Sequence, residues 1–428
     1  EGYFTPEIQT PDQKETTTNY SEMVKNPYEF AFYFQDKIEV ADMIVNAGVR
    51  YEIFEPDGQT LTDVADPNPY APLKIINRFH DLDGDGLITE TEAVSSNAKT
   101  YEDRMEYWFQ DASKKYQFSP RLAIAYPITD KGVLHFSYGH FFQIPSFTYL
   151  YINPDFEVPV GGAVASATMG NADLEPQKTV QYEVGFQQQF GENIGVDVTG
   201  FYKDISNLLG SEILTTYTSE VYGRYINRDY GNVKGLTISL TKRYSNGFSA
   251  NLDYTYSVAE GNASDPQSVF WDAQSNRESE KQLVYLDWDQ RHTLNGTVLF
   301  KLPYKVNLSF IGEYGSGLPY TPANLGLAGG GFENSARRPQ QLNLDMRITK
   351  SFIFAGRELS FSANVYNLLD IRNEVTVYTD TGRSGYSLIP TYTAEDTNWR
   401  YNTLSEYFNR PGNYSSPRQI RVGISTSL

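Results

Sequence analysis

The sequence predicts an all-β chain folded as an antiparallel transmembrane β-barrel, on three observations. Apolar residues recur at every second position through segment after segment, the period of a strand with two unlike faces. The second face carries Gln, Glu, Asp, Asn, Thr and Lys, which no protein core accepts unpaired. Connections of two to four residues alternate with long ones at 55–116, 144–179, 206–234, 259–284, 315–340 and 370–417. Short periplasmic turns opposite long extracellular loops are the outer-membrane pattern, whereas a soluble sandwich puts loops of mixed length at both ends.

Taken in order, residues 1–26 are polar and without period, and read as a loop or linker; residues 27–428 read as one partial barrel. Hairpins follow: 28–40 with 42–54, 117–129 with 132–143, and 180–190 with 194–205. Then come 235–244 with 247–258, 285–302 with 305–314, and 341–354 with 357–369, and a last strand at 418–428. About thirteen strands emerge, most long enough for the roughly ten residues that a tilted strand needs to cross a bilayer. The clearest stretch is 171–210. A turn-rich opening, Asn171-Ala172-Asp173-Leu174-Glu175-Pro176, leads into a strand in which Tyr182, Val184, Phe186 and Phe190 alternate with Gln181, Glu183, Gly185 and Gln189. After Gly191-Glu192-Asn193, Ile194, Val196, Val198 and Tyr202 alternate with Gly195, Asp197, Thr199 and Lys203. The polar face is charged and amide-rich in nearly every strand, so the lumen is expected to be wide and wet, or to hold a polar plug.

Composition narrows the function. No run approaches twenty apolar residues, which excludes helical membrane spans but not strands. There is no cysteine, hence no disulfide framework or thiol site. A formal net charge of −18 argues against nucleic acid, whose phosphates it would repel. A mean hydropathy of −0.48 is what long polar loops give when they dilute an apolar band. The chain starts at Glu1 without methionine, which reads as a mature or truncated product.

One segment carries recognisable chemistry. Residues 81–92, Asp-Leu-Asp-Gly-Asp-Gly-Leu-Ile-Thr-Glu-Thr-Glu, fit the EF-hand loop pattern at every position. Asp81, Asp83 and Asp85 would supply carboxylates to Ca²⁺, Leu87 its carbonyl, Thr89 a direct or water-mediated contact, and Glu92 a bidentate carboxylate, with Gly86 at the sharp turn. Helices are expected on either side, at 73–79 and 90–98. The competing reading is a solvated acidic turn, since Asp-Gly pairs are common in loops. The segment lies in the longest connection, 55–116, where calcium would stiffen the loop. The histidines His80, His135, His140 and His292 are scattered and read as structural. Phe141, Phe142, Phe147, Tyr149, Tyr151 and Phe156 read as an interfacial aromatic girdle, or as a platform for a ligand above the lumen. Gly329-Gly330-Gly331 lacks the strand–helix context of a phosphate loop.

Short motifs in a fixed order carry a resemblance. They are Phe30-Ala31-Phe32-Tyr33-Phe34-Gln35-Asp36-Lys37, Ala47-Gly48-Val49-Arg50-Tyr51, Ser119-Pro120-Arg121-Leu122-Ala123-Ile124-Ala125-Tyr126 and Asn171 to Lys178. Further along stand Asp289-Gln290-Arg291-His292-Thr293-Leu294-Asn295, Ser316-Gly317-Leu318-Pro319-Tyr320-Thr321 and Val365-Tyr366-Asn367-Leu368-Leu369-Asp370. Together they resemble the C-terminal barrel of TonB-dependent outer-membrane receptors, especially the Bacteroidota-type group with a carboxypeptidase-regulatory-like N-terminal domain. The resemblance implies a 22-stranded barrel around an N-terminal plug, of which about the last thirteen strands are present. The plug, the TonB-contacting segment and the first strands are expected elsewhere in a longer chain. It implies a non-enzymatic importer of a scarce nutrient (peptide, glycan, siderophore or similar) in a Gram-negative outer membrane, contacting lipid and the TonB complex, with a surface lipoprotein lid as a further partner. Haem is not expected, because residues 141–175 hold no histidine where related haem receptors carry one. Such barrels end in an aromatic, and Leu428 departs from that. The alternatives are a structural or adhesive barrel with calcium-stiffened loops, and a soluble calcium-binding β-sandwich.

Overall fold

The computed structural model describes residues 24–153, 158, 168–262, 265–274, 283–323, 332–354, 357–388, 408 and 410–426. Outside them lie most of the 1–26 segment, parts of the long connections, Phe156, the triple glycine 329–331, the turn at 355–356 and Leu428.

A single antiparallel sheet carries thirteen long strands in chain order. They are β1 Tyr28–Val40, β2 Met43–Glu55, β3 Lys115–Thr129, β4 Gly132–Gln143, β5 Gln177–Phe190, β6 Ile194–Thr215 and β7 Val221–Ser245. Then come β8 Phe248–Gly261, β9 His292–Leu302, β10 Val306–Gly315, β11 Gln341–Phe354, β12 Arg357–Tyr366 and β13 Gln419–Thr426. Among the described residues β1 and β13 are the two edges. The turns on one side are tight, and Asn246 and Gly247 both have positive φ, +52° and +87°, as a two-residue turn matched to the strand twist requires.

Register locks the two faces together. Leu122 stands opposite Tyr138, Tyr138 opposite Tyr182, and Tyr182 opposite Tyr202. Further round, Ile238, Tyr254, Leu294, Tyr314 and Leu342 form one row. A slip of one residue would send every one of these to the polar face. The exposure is inverted relative to a soluble protein: Phe118, Val184 and Val422 are 62%, 56% and 69% exposed, while Gln181 and Glu183 on the other face are half-buried. Grease outside and polar groups inside is the arrangement of a barrel in lipid. A sandwich would seal these apolar side chains between sheets.

The buried core sits instead at one end of the sheet, among the loops and the strand ends that carry them. Phe54, Leu150, Tyr151, Ala172, Leu174 and Tyr225 form one cluster; Leu61, Trp108, Met169 and Tyr222 form a second; Ile205, Val233, Ala259 and Leu286 form a third. Each large side chain sealed there contributes about 2 kcal/mol. The 171–176 turn is the clasp. Ala172 and Leu174 sink into the first cluster, while Asp173 accepts from the Ser113 amide at 2.8 Å and from the buried Lys115 Nζ at 2.7 Å. Lys115 also reaches Glu175 at 3.0 Å.

Two regions depart most from the sequence expectation. The connection expected at 206–234 is largely strand: β6 and β7 run on past the barrel, pairing up to Thr215 with Val221. Irregular register at Asn227, Asp229 and Gly231 breaks the alternation there and hides the strand from a period-two reading. Conversely, the strand expected from 285 begins at His292. Asp287–Arg291 turns around buried Asp289, whose carboxylate accepts from the Ala259 amide at 2.8 Å, from Arg291 Nε at 2.9 Å and from Arg337.

Candidate functional site

The long loop 55–116 folds as a small body on the outer end of the sheet. Its frame is the two-stranded ribbon Gln59–Leu61 with Phe109–Asp111, and the helix α1 Tyr101–Trp108. Thr100 caps α1: its Oγ1 accepts from the Asp103 amide at 3.2 Å, and its own amide donates to the Asp103 carboxylate at 2.7 Å. Asp66, fully buried, accepts from the amides of Leu73 at 2.8 Å and Lys74 at 3.1 Å and from Asn77 Nδ2 at 2.7 Å. Arg104 donates to the carbonyls of Pro69 at 2.7 Å and Lys99 at 2.8 Å. Trp108 Nε1 donates to Pro67 O at 3.2 Å.

Within that frame the acidic loop is held by its own hydrogen bonds. Carboxylate oxygens of Asp81, Asp83 and Asp85 lie within 4.8 Å of one another. Asp81 accepts from the amides of Gly84 at 2.7 Å and Gly86 at 2.8 Å, and both glycines are left-handed, with φ of +77° and +84°. Glu92 is buried at the loop's end. Its carboxylate accepts from Leu82 N at 2.7 Å and from Thr89 N at 2.9 Å and Oγ1 at 2.7 Å, donors that hold it down to about 2. Asp83 is pulled down by the Asp85 amide, but desolvation and the charges of Asp85 and Glu92 outweigh this and raise it. The Leu87 amide donates to Asp85 at 2.8 Å, and the Leu87 side chain is exposed.

The flanking helices expected at 73–79 and 90–98 are absent. Single 3₁₀ turns, Ile75–Asn77 and Ser95–Asn97, stand in their place. The base is strapped by a bridge between Phe79 and Ala98, with His80 N to Asn97 O at 3.0 Å and Lys99 N to Arg78 O at 2.8 Å. Asn97 explains the stop on the exit side: its side chain donates to the carbonyls of His80 at 2.7 Å and Glu92 at 2.9 Å, competing with helical bonding. The loop is thus an acidic turn strapped at its base, without the helix pair that was expected.

The tip of the β6–β7 hairpin grips this body. Tyr217 N donates to Ala65 O at 3.1 Å and its hydroxyl to Asp63 at 3.2 Å, and Tyr222, fully buried, donates to Val64 O at 2.6 Å. Sequence reading missed Asp66, Arg104 and Tyr222; only the Thr100-x-x-Asp103 capping signal was there to find.

The aromatic group divides. Tyr151 is in the core and Tyr149 packs edge-on to Tyr225 at 4.9 Å, whereas Phe141 is on the inner wall with the Arg121 guanidinium 4.7 Å from its ring. The histidines stay apart: His80 meets Asp103 at 3.3 Å, and His135, His140 and His292 meet Thr199, Tyr138 and Tyr254.

The inner wall has two characters. Across β1–β5 a recess of about 540 Å³ is lined by Gln35, Arg50, Arg121, Phe141 and Glu183 among others. Arg50 pairs there with Glu52 at 2.9 Å, and Ser137 donates to Glu183 at 2.8 Å. Across β9–β11 a recess of about 230 Å³ is lined by amides, hydroxyls and one carboxylate, Glu313.

The profile of the family described as "TonB dependent receptor-like, beta-barrel" matches residues 2–368. Among solved structures, the FrpB iron transporter from Neisseria meningitidis (F3-3 variant) is 13% identical over 96% of this chain and 47% of its own, with a TM-score of 0.52. A mutant of the ferric enterobactin receptor PfeA from Pseudomonas aeruginosa is 16% identical over 83% and 42%, with a TM-score of 0.51. The siderophore receptor PiuA from Acinetobacter baumannii is 13% identical over 83% and 40%, with a TM-score of 0.50. At these identities the likeness is one of fold. The chain spans less than half the length of each of these structures. A search of curated proteins gave no match.

Proposed function

The chain belongs to the TonB-dependent receptor family as part of its β-barrel, a barrel of the Gram-negative outer membrane, and from that premise we propose that it forms the wall and outer cap of a nutrient importer rather than an enzyme. The observation that carries this is the pairing of a register-locked polar inner face with a folded cap over the outer end. A wet lumen gives cargo a path, and a cap built from several loops gives it a place to be caught. Energy would come through TonB, acting on a plug supplied by the rest of a longer chain. No covalent step is needed. The cargo is a scarce nutrient such as a peptide, glycan, siderophore or cobalamin.

The test compares growth with and without the full-length receptor, each of those nutrient classes being limiting in turn. A defect on one class, reproduced by deleting TonB, is expected. A defect that persists undiminished when uptake is shown to proceed without TonB would sink the importer reading.

Residues 81–92 are proposed to hold a calcium ion that braces the cap. Support comes from the gathered carboxylates of Asp81, Asp83 and Asp85, the two left-handed glycines and the raised Asp83 carboxyl, a crowding that a divalent cation relieves. Leu87 would contribute its carbonyl, Thr89 its hydroxyl and Glu92 its carboxylate. Terbium luminescence on the full-length protein should saturate and be displaced by calcium, and Glu92→Gln should weaken it on the order of tenfold or more. Equal affinity in the variant would remove Glu92 from the ligand set.

A further inference from the structure

We propose that the short-turn rim of β7–β12 binds the headgroup of an anionic phospholipid in the periplasmic leaflet, with Lys305 and Lys350 clamping its phosphate. The rim is divided by charge. Within five residues of the turns of β1–β6 stand Asp36, Glu39, Asp42, Asp130, Glu192 and Asp197 against Lys37 and Lys131. Both of those lysines are paired, Lys37 with Glu39 at 2.6 Å and Lys131 with Glu192 at 3.5 Å. Within five residues of the turns of β7–β12 stand Lys242, Arg243, Lys301, Lys305, Lys350 and Arg357 against Glu358. Among the described residues none of those six cations is in an ion pair.

Lys242 and Lys350 are on the lipid face, out of reach of anything held in the lumen. Lys242 shares its row with Ile194 and Ala250, and Lys350 with Val306 and Phe361. Lys242 bends back to the turn. Its Nζ donates to the carbonyls of Ser245 at 2.8 Å and Phe248 at 2.9 Å, and lies 3.7 Å from the centre of the Phe248 ring. Lys350 has no such refuge: its neighbours on that face are Ile348, Val306, Phe352 and Phe361, and among the described residues no acceptor meets its ammonium. An ammonium on a hydrocarbon face reaches for the headgroup layer. Lys305 stands beside it. The turn at Tyr304 and Lys305, with φ of +64° and +57°, sets Lys305 opposite Ser351, whose amide donates to the Lys305 carbonyl at 3.3 Å. Two like charges one step apart on neighbouring strands repel, and an anion between them removes the repulsion. A lipid phosphate meets both demands, with its acyl chains over Phe352 and Phe361 and Tyr304, 88% exposed, at headgroup depth. A zwitterionic headgroup would bring its own ammonium to a place that offers it no carboxylate.

The test equilibrates the full-length receptor, in non-ionic detergent, with equal amounts of phosphatidylglycerol and phosphatidylcholine, and counts retained lipids by native mass spectrometry. Phosphatidylglycerol should be retained in preference. The double variant Lys305→Gln/Lys350→Gln should lower that preference roughly five-fold or more, while Lys131→Gln, on the other arc, leaves it unchanged. Equal retention of the two lipids overturns the proposal, as does a preference that the double variant keeps. An equal loss in Lys131→Gln would mean general charge attraction and overturn it too. So would release of the lipid by excess inorganic phosphate, the mark of a free-anion site. Far-UV circular dichroism checks the fold. Should the double variant fail to fold, Lys305→Gln alone, in an exposed turn, should show a smaller loss, and no loss there overturns the clamp. A contact of this kind is independent of what the barrel carries, so none of these outcomes touches the importer reading.

Discussion

Asp66 ties the long loop down through three donors that lie seven to eleven residues ahead of it. Nothing local marks it, because its partners are fixed only by tertiary folding. Asp81, Asp83 and Asp85 were legible for the opposite reason: a cation-binding loop draws its ligands from one short run, so spacing alone reveals them. Asp103 falls between these cases. The amide and hydroxyl of Thr100, and behind them His80, hold its carboxyl below the ordinary 3.8. A depressed carboxyl stabilises the cap fully above 3.8, and that contribution is lost as pH falls below it. Trp108, at the far end of α1 and buried, reports the loss. Its fluorescence, taken as the difference from Trp108→Phe, should shift red as pH falls from about 4 towards 2. Thr100→Ala should bring the shift on earlier and remove about 1 kcal/mol from the cap. A flat signal over that range would deny the capping role.

Among the elements, the strands were the most readable, because a ribbon with lipid on one side and water on the other must alternate. β1, β4 and β11 have the bounds that alternation implies. Legibility failed where strands leave the membrane. Above it, β6 and β7 are no longer sorted by lipid; they pack on loops, and the bulged positions at Asn227 and Asp229 put polar and apolar residues out of step. It failed again at 285–291, where Asp289 turns the chain around paired arginines instead of extending it. Tyr222 shows what the extended hairpin does: it fills the core between Leu61, Trp108 and Met169. Tyr222→Ala should cost the cap about 3–5 kcal/mol. Trypsin added to whole cells should then cut within 55–116, while the barrel still resists. Unchanged protection of that loop would mean the hairpin is not its support.

For the molecule as a whole, the two faces of the sheet predict opposite tolerances. Val184 is on the lipid face and Thr255 on the inner wall. Val184→Arg should lower the folding free energy of the full-length protein in bilayers by about 2–4 kcal/mol, as read by urea titration, and Thr255→Arg should leave it nearly unchanged. Equal costs would mean that the faces had been assigned wrongly. The β6–β7 hairpin, with strands of 22 and 25 residues, has a consequence for what the cell shows its surroundings. At about 3.4 Å per residue and a tilt near 40°, its tip rises roughly 25 Å above the hydrocarbon. Phages and antibodies searching this surface therefore meet the knuckle at 216–220 well clear of the lipid. Escape by substitution is costly there, because Tyr217 and Tyr222 also hold the loop beneath them in place.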